Sequence, residues 1–376
     1  MSLFRPRRVV ERGAVPPFIG SFDDWVRVQA GGSKVSSSSA GTVDVGLQHS
    51  VIYRATNKVA ATVASLPIDV RRGRVEVSPV PPLVASPSAM MLPSVWKHAA
   101  VLSMMLRGNA FGLVTAWAGA WPTKIELLHP DAVSWSTEGG WTVDGDPSDT
   151  WPVGPLWHVP LHVLPGSPLG LNPLAYARRT TFAALASGEF GSGFFSGGGH
   201  PSAIIAPERD PGEEGAKALK QRVMDVTSGT SREPIVLPQS VKYESIQINP
   251  DDSQFIELMR FSGEELCRFF GVDPVDVGVA VQGSALNYSN RENRQQDYLA
   301  NAVLTPIVRL EEALTALLPR PMNAKFNVDG ILRPDLKTRY ESYRIAAEIN
   351  KSSGDTFLSV DEMRALEDRE PWKGDT

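Results

Sequence analysis

Apolar residues in the stretch beginning at His49, "HSVIYRATNKVAATVASLPIDV", fall at Val51, Ile52, Ala55, Val59 and Val63. That spacing is close to the three-and-four rhythm of a helix with one buried face. Pro67 cannot continue the helix, and a strand is predicted after it. The next stretch, "VSPVPPLVASPS", carries Pro79, Pro81, Pro82 and Pro87 and predicts an extended, polyproline-like linker. A second amphipathic helix follows over "VWKHAAVLSMMLRGNAFG", closed by Gly108 or Asn109. Beyond it the rhythm changes to short alternating runs such as "KIELLHPDAVSW" and "WTVDGDP", interrupted by Gly, Pro and Asp. These predict a β-rich module with tight turns.

A long helix is predicted from Pro173 to about Phe190, with Asn172 as N-cap and Pro173 in the first turn. The glycine-rich run "GEFGSGFFSGGGH" is expected to end it and turn the chain into a strand, "SAIIAP". Residues 211 to 228 predict a charged helix, and "EPIVLPQSVKYESIQI" returns as strand. Asp251 and Gln254 resemble a capping box for a helix whose Phe255, Leu258, Met259, Leu266, Phe269 and Phe270 form an apolar stripe. Gly271 and Pro274 close that helix. Residues 291 to 318 repeat the helical pattern, with Tyr298, Leu299, Val303, Leu304, Ile307, Leu310, Leu314 and Leu317 on one side. Pro306 must remove a hydrogen bond inside it, which predicts a bend near Ala302 to Pro306. Two helices end the chain, over "PDLKTRYESYRIAAEI" and "SVDEMRALED", the second opened by Ser359 and Glu362. Residues 1 to 48, with Pro16, Pro17, Gly31, Gly32 and "SKVSSSSAG", are expected to be an extended arm and linker. No internal repeat is visible.

Composition narrows the class. The 376 residues are 42% hydrophobic with a formal charge of −5, enough apolar content for two or three globular units and too acidic for a general nucleic-acid polycation. One cysteine, Cys267, excludes an internal disulfide framework and a cysteine-rich zinc site. No signal-length or membrane-spanning apolar run is seen, so a reducing, cytosolic origin is expected. The seven tryptophans between Trp96 and Trp157 are expected in a core; a base-stacking platform is the less favoured reading, since few basic residues accompany them.

The glycine-rich run fits no enzymatic template. Gly191 and Gly193 are followed by Ser196 where a dinucleotide loop needs a third glycine, and a helix precedes rather than follows them. The run ends Gly-His-Pro, not Gly-Lys-Ser/Thr, and neither Ser192 nor Ser196 sits in G-x-S-x-G. His158 and His162 have the spacing of a zinc helix, but Pro160 lies between them and the glutamate of H-E-x-x-H is missing. His49, His98, His129 and His200 are scattered singly. Asp251 with Asp252 and Glu264 with Glu265 read as caps and solvated faces. The expectation is no catalytic residue, no cofactor and no metal.

The order of four segments is more informative than any single motif. "LHVLPGSPLGLNPLAYARRTTFAALASGEFGSGFFSGGGHPSAII" is similar to the tailed-bacteriophage portal segment in which a helix ends in two aromatics and a glycine-rich exit. "DSQFIELMRFSGEELCRFFGVDPVDVG" resembles their helix closing on Phe, Gly, Val and Pro. "NRENRQQDYLANAVLTPIVRLEEAL" resembles their long bent helix with internal Thr-Pro, here Thr305 and Pro306. The tail "ILRPDLKTRYESYRIAAEIN" with "FLSVDEMRALEDREP" resembles their closing helices, although Asp361 stands where asparagine is usual. The resemblance covers about residues 50 to 370.

The resemblance implies an α+β portal architecture. After an arm over 1–48 would come a wing over 49–170, a first stem helix over 171–192 and a clip over 193–250. A second stem helix over 251–270, a tunnel loop over 271–290 and a long bent helix over 291–320 would follow. Residues 321–376 would supply the C-terminal helices, a return to the wing, and a crown. It implies a dodecameric ring at one capsid vertex, assembled in the bacterial host cytoplasm, through which double-stranded DNA is packaged and ejected. Implied partners are the terminase large subunit, the major capsid or scaffold protein and a head-completion protein, with no membrane. The tunnel residues would be Gln282, Gly283, Ser284, Asn287 and Tyr288, in a segment, 273–290, that lacks Lys and Arg. Lys217, Lys220 and Arg222 are candidate motor contacts on the clip helix. The competing readings are a serine hydrolase using Ser192 or Ser196 with His200, and another ring-forming adaptor or tail protein.

Overall fold

The computed structural model describes residues 43–196, 203–207, 212–227, 241–245, 252–279, 291–332, 336–354, 356–367 and 369–371. After one helical turn at Val43–Gly46, helix α1 (Ser50–Ser65) turns Val51, Ile52, Ala55, Val59 and Val63 into the core. Thr56 on the same face satisfies its hydroxyl by donating to the Ile52 carbonyl at 2.8 Å. Past Pro67 the chain enters β1 (Ile68–Arg72) and turns through Gly73 into β2 (Val75–Glu76). The proline-rich stretch departs from the expected fully extended path: Pro82–Ala85 form a helical turn. Pro82 stands in the first turn, where a missing N–H costs nothing, and Leu83 is thereby lowered into the core.

Helix α2 (Pro93–Arg107) buries Trp96, Ala100, Val101, Met104 and Met105 and packs along α1. It ends at Gly108, in the left-handed region with φ 76°, whose N–H donates to the Met104 carbonyl at 2.8 Å. Strands β3 (Asn109–Ala118) and β4 (Trp121–Leu128) follow, then β5 (Val133–Ser136), β6 (Gly140–Val143), β7 (Asp146–Pro147) and β8 (Leu156–Pro160). They make two antiparallel sheets, ordered β4–β3–β8 and β5–β6–β7. Trp96 and Trp157 meet in the core with ring centroids 5.4 Å apart, and Trp96 Nε1 donates to the Ile125 carbonyl at 2.9 Å. Trp117 and Trp121 are exposed, so the tryptophans are not uniformly core residues.

A turn at Pro173–Tyr176, capped by Asn172 accepting from the Ala175 N–H at 3.1 Å, leads into α3 (Arg178–Ser196). This helix runs beyond the expected end near Phe190, through Gly188, Gly191 and Gly193. A glycine costs a helix interior only about 1 kcal/mol and does not by itself stop it. Then come β9 (Ala203–Pro207), α4 (Gly212–Thr227) and β10 (Val241–Ser245), with β9 and β10 antiparallel. Helix α5 (Asp252–Phe269) returns to pack against α3 and sends Leu266, Cys267 and Phe270 into the core beside α1.

The long helix expected over 291–318 is divided. Helix α6 (Arg291–Tyr298) passes through a wide π turn at Leu299–Val303 into α7 (Leu304–Thr315). Strand β11 (Met322–Phe326) then pairs antiparallel with β1, Ile68 opposite Phe326 and Arg72 opposite Met322. After a turn at Asp329–Leu332, α8 (Leu336–Ser353) and α9 (Val360–Leu366) end the fold. Ser359 and Glu362 form the expected capping box: the Glu362 carboxylate accepts from the Ser359 N–H at 2.7 Å, and Ser359 Oγ accepts from the Glu362 N–H at 3.2 Å.

Candidate functional site

The described residues on either side of 280–290 meet in one cluster. Upstream, Asp273 caps a 3-10 turn at Pro274–Val277, its Oδ1 accepting from the Val275 N–H at 2.8 Å. Two residues beyond Pro274, Asp276 receives Lys58 Nζ on its carboxylate at 2.9 Å and on its carbonyl at 3.1 Å. The same ammonium lies 4.3 Å from the centre of the Tyr298 ring, downstream of the segment. Tyr298 closes the cluster by sharing a hydrogen bond with Thr62 at 3.1 Å, and burial pushes its phenol up to about 12. Lys58 and Thr62 lie four residues apart on α1, so one turn of that helix holds both flanks. A cleft of about 310 Å³ opens here, lined by Asp273, Asp276, Arg294, Asp297 and Tyr298 among others.

The Lys58 pin is testable on its own. Lys58 and Asp276 side chains are about a quarter exposed (23% and 25%), so the pair is only partly screened. Lys58→Met leaves Asp276 without its cation and is expected to cost about 1–2 kcal/mol. Denaturant titration should show that loss, while far-ultraviolet circular dichroism of the folded variant stays unchanged.

Helix α7 meets Thr305 and Pro306 immediately after the π turn. The Leu304 N–H donates to the Leu299 carbonyl five residues back. The extra residue shifts the backbone just upstream of Pro306, whose ring would press on the Ala302 carbonyl in an ordinary α-helix. Pro306 is buried with Ile307 and Leu310 against the core.

The remaining sequence-selected residues separate. Gln282, Gly283, Ser284, Asn287 and Tyr288 lie outside the described residues, as does His200. Ser192 and Ser196 lie within α3, not on a strand-to-helix elbow. Lys217, Lys220 and Arg222 lie on α4, where exposed Lys217 pairs with Glu213 at 2.8 Å, an i,i+4 surface contact worth little. Cys267 is fully buried, and burial with the nearby Asp273 and Glu264 charges pushes its thiol up to about 11, an inert state. Among the described residues no group of His, Cys, Asp and Glu could hold a metal ion, and no helix is long and apolar enough to cross a membrane.

His158 is structural. Its ring stacks on Phe111 at 4.7 Å and touches Trp141 at 4.8 Å, and its Nε2 lies 2.9 Å from Asn109 Oδ1. That oxygen also accepts from the Gly170 N–H at 2.7 Å, so Nε2 is the donor. Burial lowers the imidazole to about 4. The folded chain therefore binds the proton more weakly than the unfolded one, whose His titrates near 6.5. Stability contributed by the neutral ring is complete above about pH 6.5 and is lost as pH falls toward 4, by about 3 kcal/mol. Denaturant unfolding of wild type and His158→Gln should show the wild-type advantage shrinking across that window.

Two long helices, α3 and α5, thus bracket a small β–α–β insert, on a core closed by β1 and β11 from distant parts of the chain. An arrangement that leaves long helix edges outward suits an assembling structural protein, since contacts between copies need such faces. The family model described as "Phage portal protein" matches residues 50–368, and the chain belongs to that family. The probable portal protein of Streptomyces phage phiC31 is 27% identical over 391 residues, covering 96% of this chain and 82% of that protein. An HK97-family phage portal protein from Corynebacterium diphtheriae, known as a crystal structure, has a similar fold: TM-score 0.63 at 14% identity, over 79% of this chain and 98% of that one. A chain in the neck of a native gene transfer agent particle, computed with C12 symmetry, is similar at TM-score 0.55 and 18% identity, over 87% and 92%. The portal-type α+β fold is therefore established for this chain.

Proposed function

We propose that twelve copies of this chain form a ring at one capsid vertex, and that double-stranded DNA passes along the ring axis during packaging and ejection. The observation that carries this reading is the portal-family match over nearly the whole chain; the fold likeness to a neck chain in a C12-symmetric assembly supports the number. In this reading the wing is 49–170, the stem helices lie within 171–192 and 251–270, and the clip is 193–250. Residues 271–290 form the tunnel loop, 291–320 the bent helix and 321–376 the wing return and crown. Gln282, Ser284, Asn287 and Tyr288 touch the moving phosphates weakly, because fixed cations would hold the duplex by counterion release. The ring has no catalytic activity of its own. A separate terminase drives translocation and docks on the clip, where Lys217, Lys220 and Arg222 are its contacts. Assembly takes place in the bacterial host cytoplasm with capsid or scaffold protein, and a head-completion protein binds after filling.

The test is genetic. Particles assembled in a host carrying a stop codon in this gene should lack nuclease-protected DNA, and the wild-type chain supplied in trans should restore it. Filled particles without the chain would contradict the reading.

A further inference from the structure

The α3–α5 pair leaves charge and apolar surface unmatched on two separate edges. On α3 and the residue before it, Ala177, Thr181 and Ala184 form the buried stripe. Arg178 and Arg179 lie outside that stripe, and both are exposed. Neither has an ion-pair or hydrogen-bond partner among the described residues, although Thr180 beside them is hydrogen-bonded to Glu265 of α5 at 2.9 Å. On α5 and the residue after it, Ser262, Leu266, Cys267 and Phe270 face inward. Glu257, Phe261 and Glu264 recur at intervals of four and three residues along another edge of that helix. Phe261 is 55% exposed there, with Leu258 beside it at 47%. Glu257 has no cationic partner among the described residues. Glu264 has only Arg268 at 3.9 Å, a loose and solvated i,i+4 pair.

One edge thus offers two adjacent guanidinium groups, and the other offers a phenylalanine between two carboxylates. Guanidinium forks bind carboxylates in a bidentate manner and stack on aromatic faces, so the two edges are complementary in charge and in shape class. We propose that Arg178 and Arg179 of one copy seat on the Glu257–Phe261–Glu264 edge of α5 in the next copy. The contact uses a different face on each partner, so it can repeat from copy to copy and closes into a ring when the rotation per copy divides a full turn, where a self-complementary contact would stop at a dimer. This inference rests on the ring reading above and names the residues that make the ring.

The test uses the full chain in two charge-reversed forms, Arg178→Glu with Arg179→Glu, and Glu257→Lys with Glu264→Lys. Each should keep the wild-type circular dichroism spectrum, and each alone should lose at least tenfold of the ring fraction seen by size-exclusion chromatography and negative-stain imaging. Mixed in equal amounts, the two should co-assemble, because every contact in an alternating ring then pairs opposite charges. Rings at wild-type yield from either variant alone, or failure of the folded pair to co-assemble, overturns the contact while leaving the ring reading intact. If the reversals do not fold, Arg178→Gln with Arg179→Gln carries the test, with ring yield lowered several-fold expected and undiminished yield overturning the contact. A wild-type chain that never forms rings overturns the ring reading and this contact together.

Discussion

Gly108→Ala should destabilise the fold by at least about 3 kcal/mol and lower the yield of soluble protein. Two costs combine at this position. The residue holds φ 76°, which an L side chain adopts at a cost of roughly 1–3 kcal/mol. A Cβ there would also lie 1.9 Å from the Leu171 carbonyl oxygen, a backbone atom with no rotamer to escape through. The neighbouring segment cannot simply withdraw. Gly170 opposes Gly108 in the same close approach, and Asn109 Nδ2 and Oδ1 tie the two segments through the Gly170 carbonyl at 3.2 Å and its N–H at 2.7 Å. Gly73→Ala supplies the control: φ is 65°, yet nothing lies within 4 Å of the added carbon. Denaturant titration of both variants should give about 1 kcal/mol for Gly73→Ala and much more for Gly108→Ala, the difference reporting the close approach. Equal losses would mean that conformation alone decides the cost.

Gln282→Lys combined with Ser284→Lys should slow DNA packaging at least tenfold, or stall it, without preventing ring assembly. In the proposed twelve-membered ring, with 271–290 as the tunnel loop, the pair would add about two dozen cations facing the duplex. Each cation that engages a phosphate releases counterions and deepens the well from which the duplex must be pulled. Raising the salt concentration should relieve the defect in part, since screening weakens the same attraction. The single-molecule or bulk packaging rate of particles carrying this variant checks the idea, and wild-type rates at low salt would count against a gliding, uncharged lining. Gln282→Asn with Ser284→Thr, which adds no charge, should package normally.

Much of the fold was readable where a local chemical rule decides the outcome. The buried face of α1 follows from the spacing of Val51, Ile52, Ala55, Val59 and Val63, the end of α2 from Gly108, and the start of α9 from Ser359 with Glu362. Rules of this kind fail where several weak preferences compete. The glycines of α3 penalise a helix only mildly, so the boundary expected near Phe190 lies instead at Ser196. Pro82 can sit in an extended linker or open a helical turn, and burial of Leu83 favours the turn. Pro306 announced a disruption of the helix, but not that a π turn at Leu299–Val303 would precede it.

The Lys58 pin was invisible for a different reason. Lys58 and Asp276 are 218 residues apart, and nothing in either neighbourhood marks the pair. Periodicity places Tyr298 on an apolar stripe, since it reports the ring and not the hydroxyl that reaches Thr62. The β1–β11 register likewise depends on two segments about 250 residues apart meeting edge to edge, which no local pattern specifies. Order along the chain carried the family resemblance, whereas contacts between distant segments required the structure.

Negative-stain imaging of the purified full-length chain, with rotational analysis of end-on views, addresses the main proposal most directly. Annular particles of twelve subunits with an open axial channel wide enough for a DNA duplex are expected. Monomers under every assembly condition, or closed oligomers with no axial opening, would contradict it.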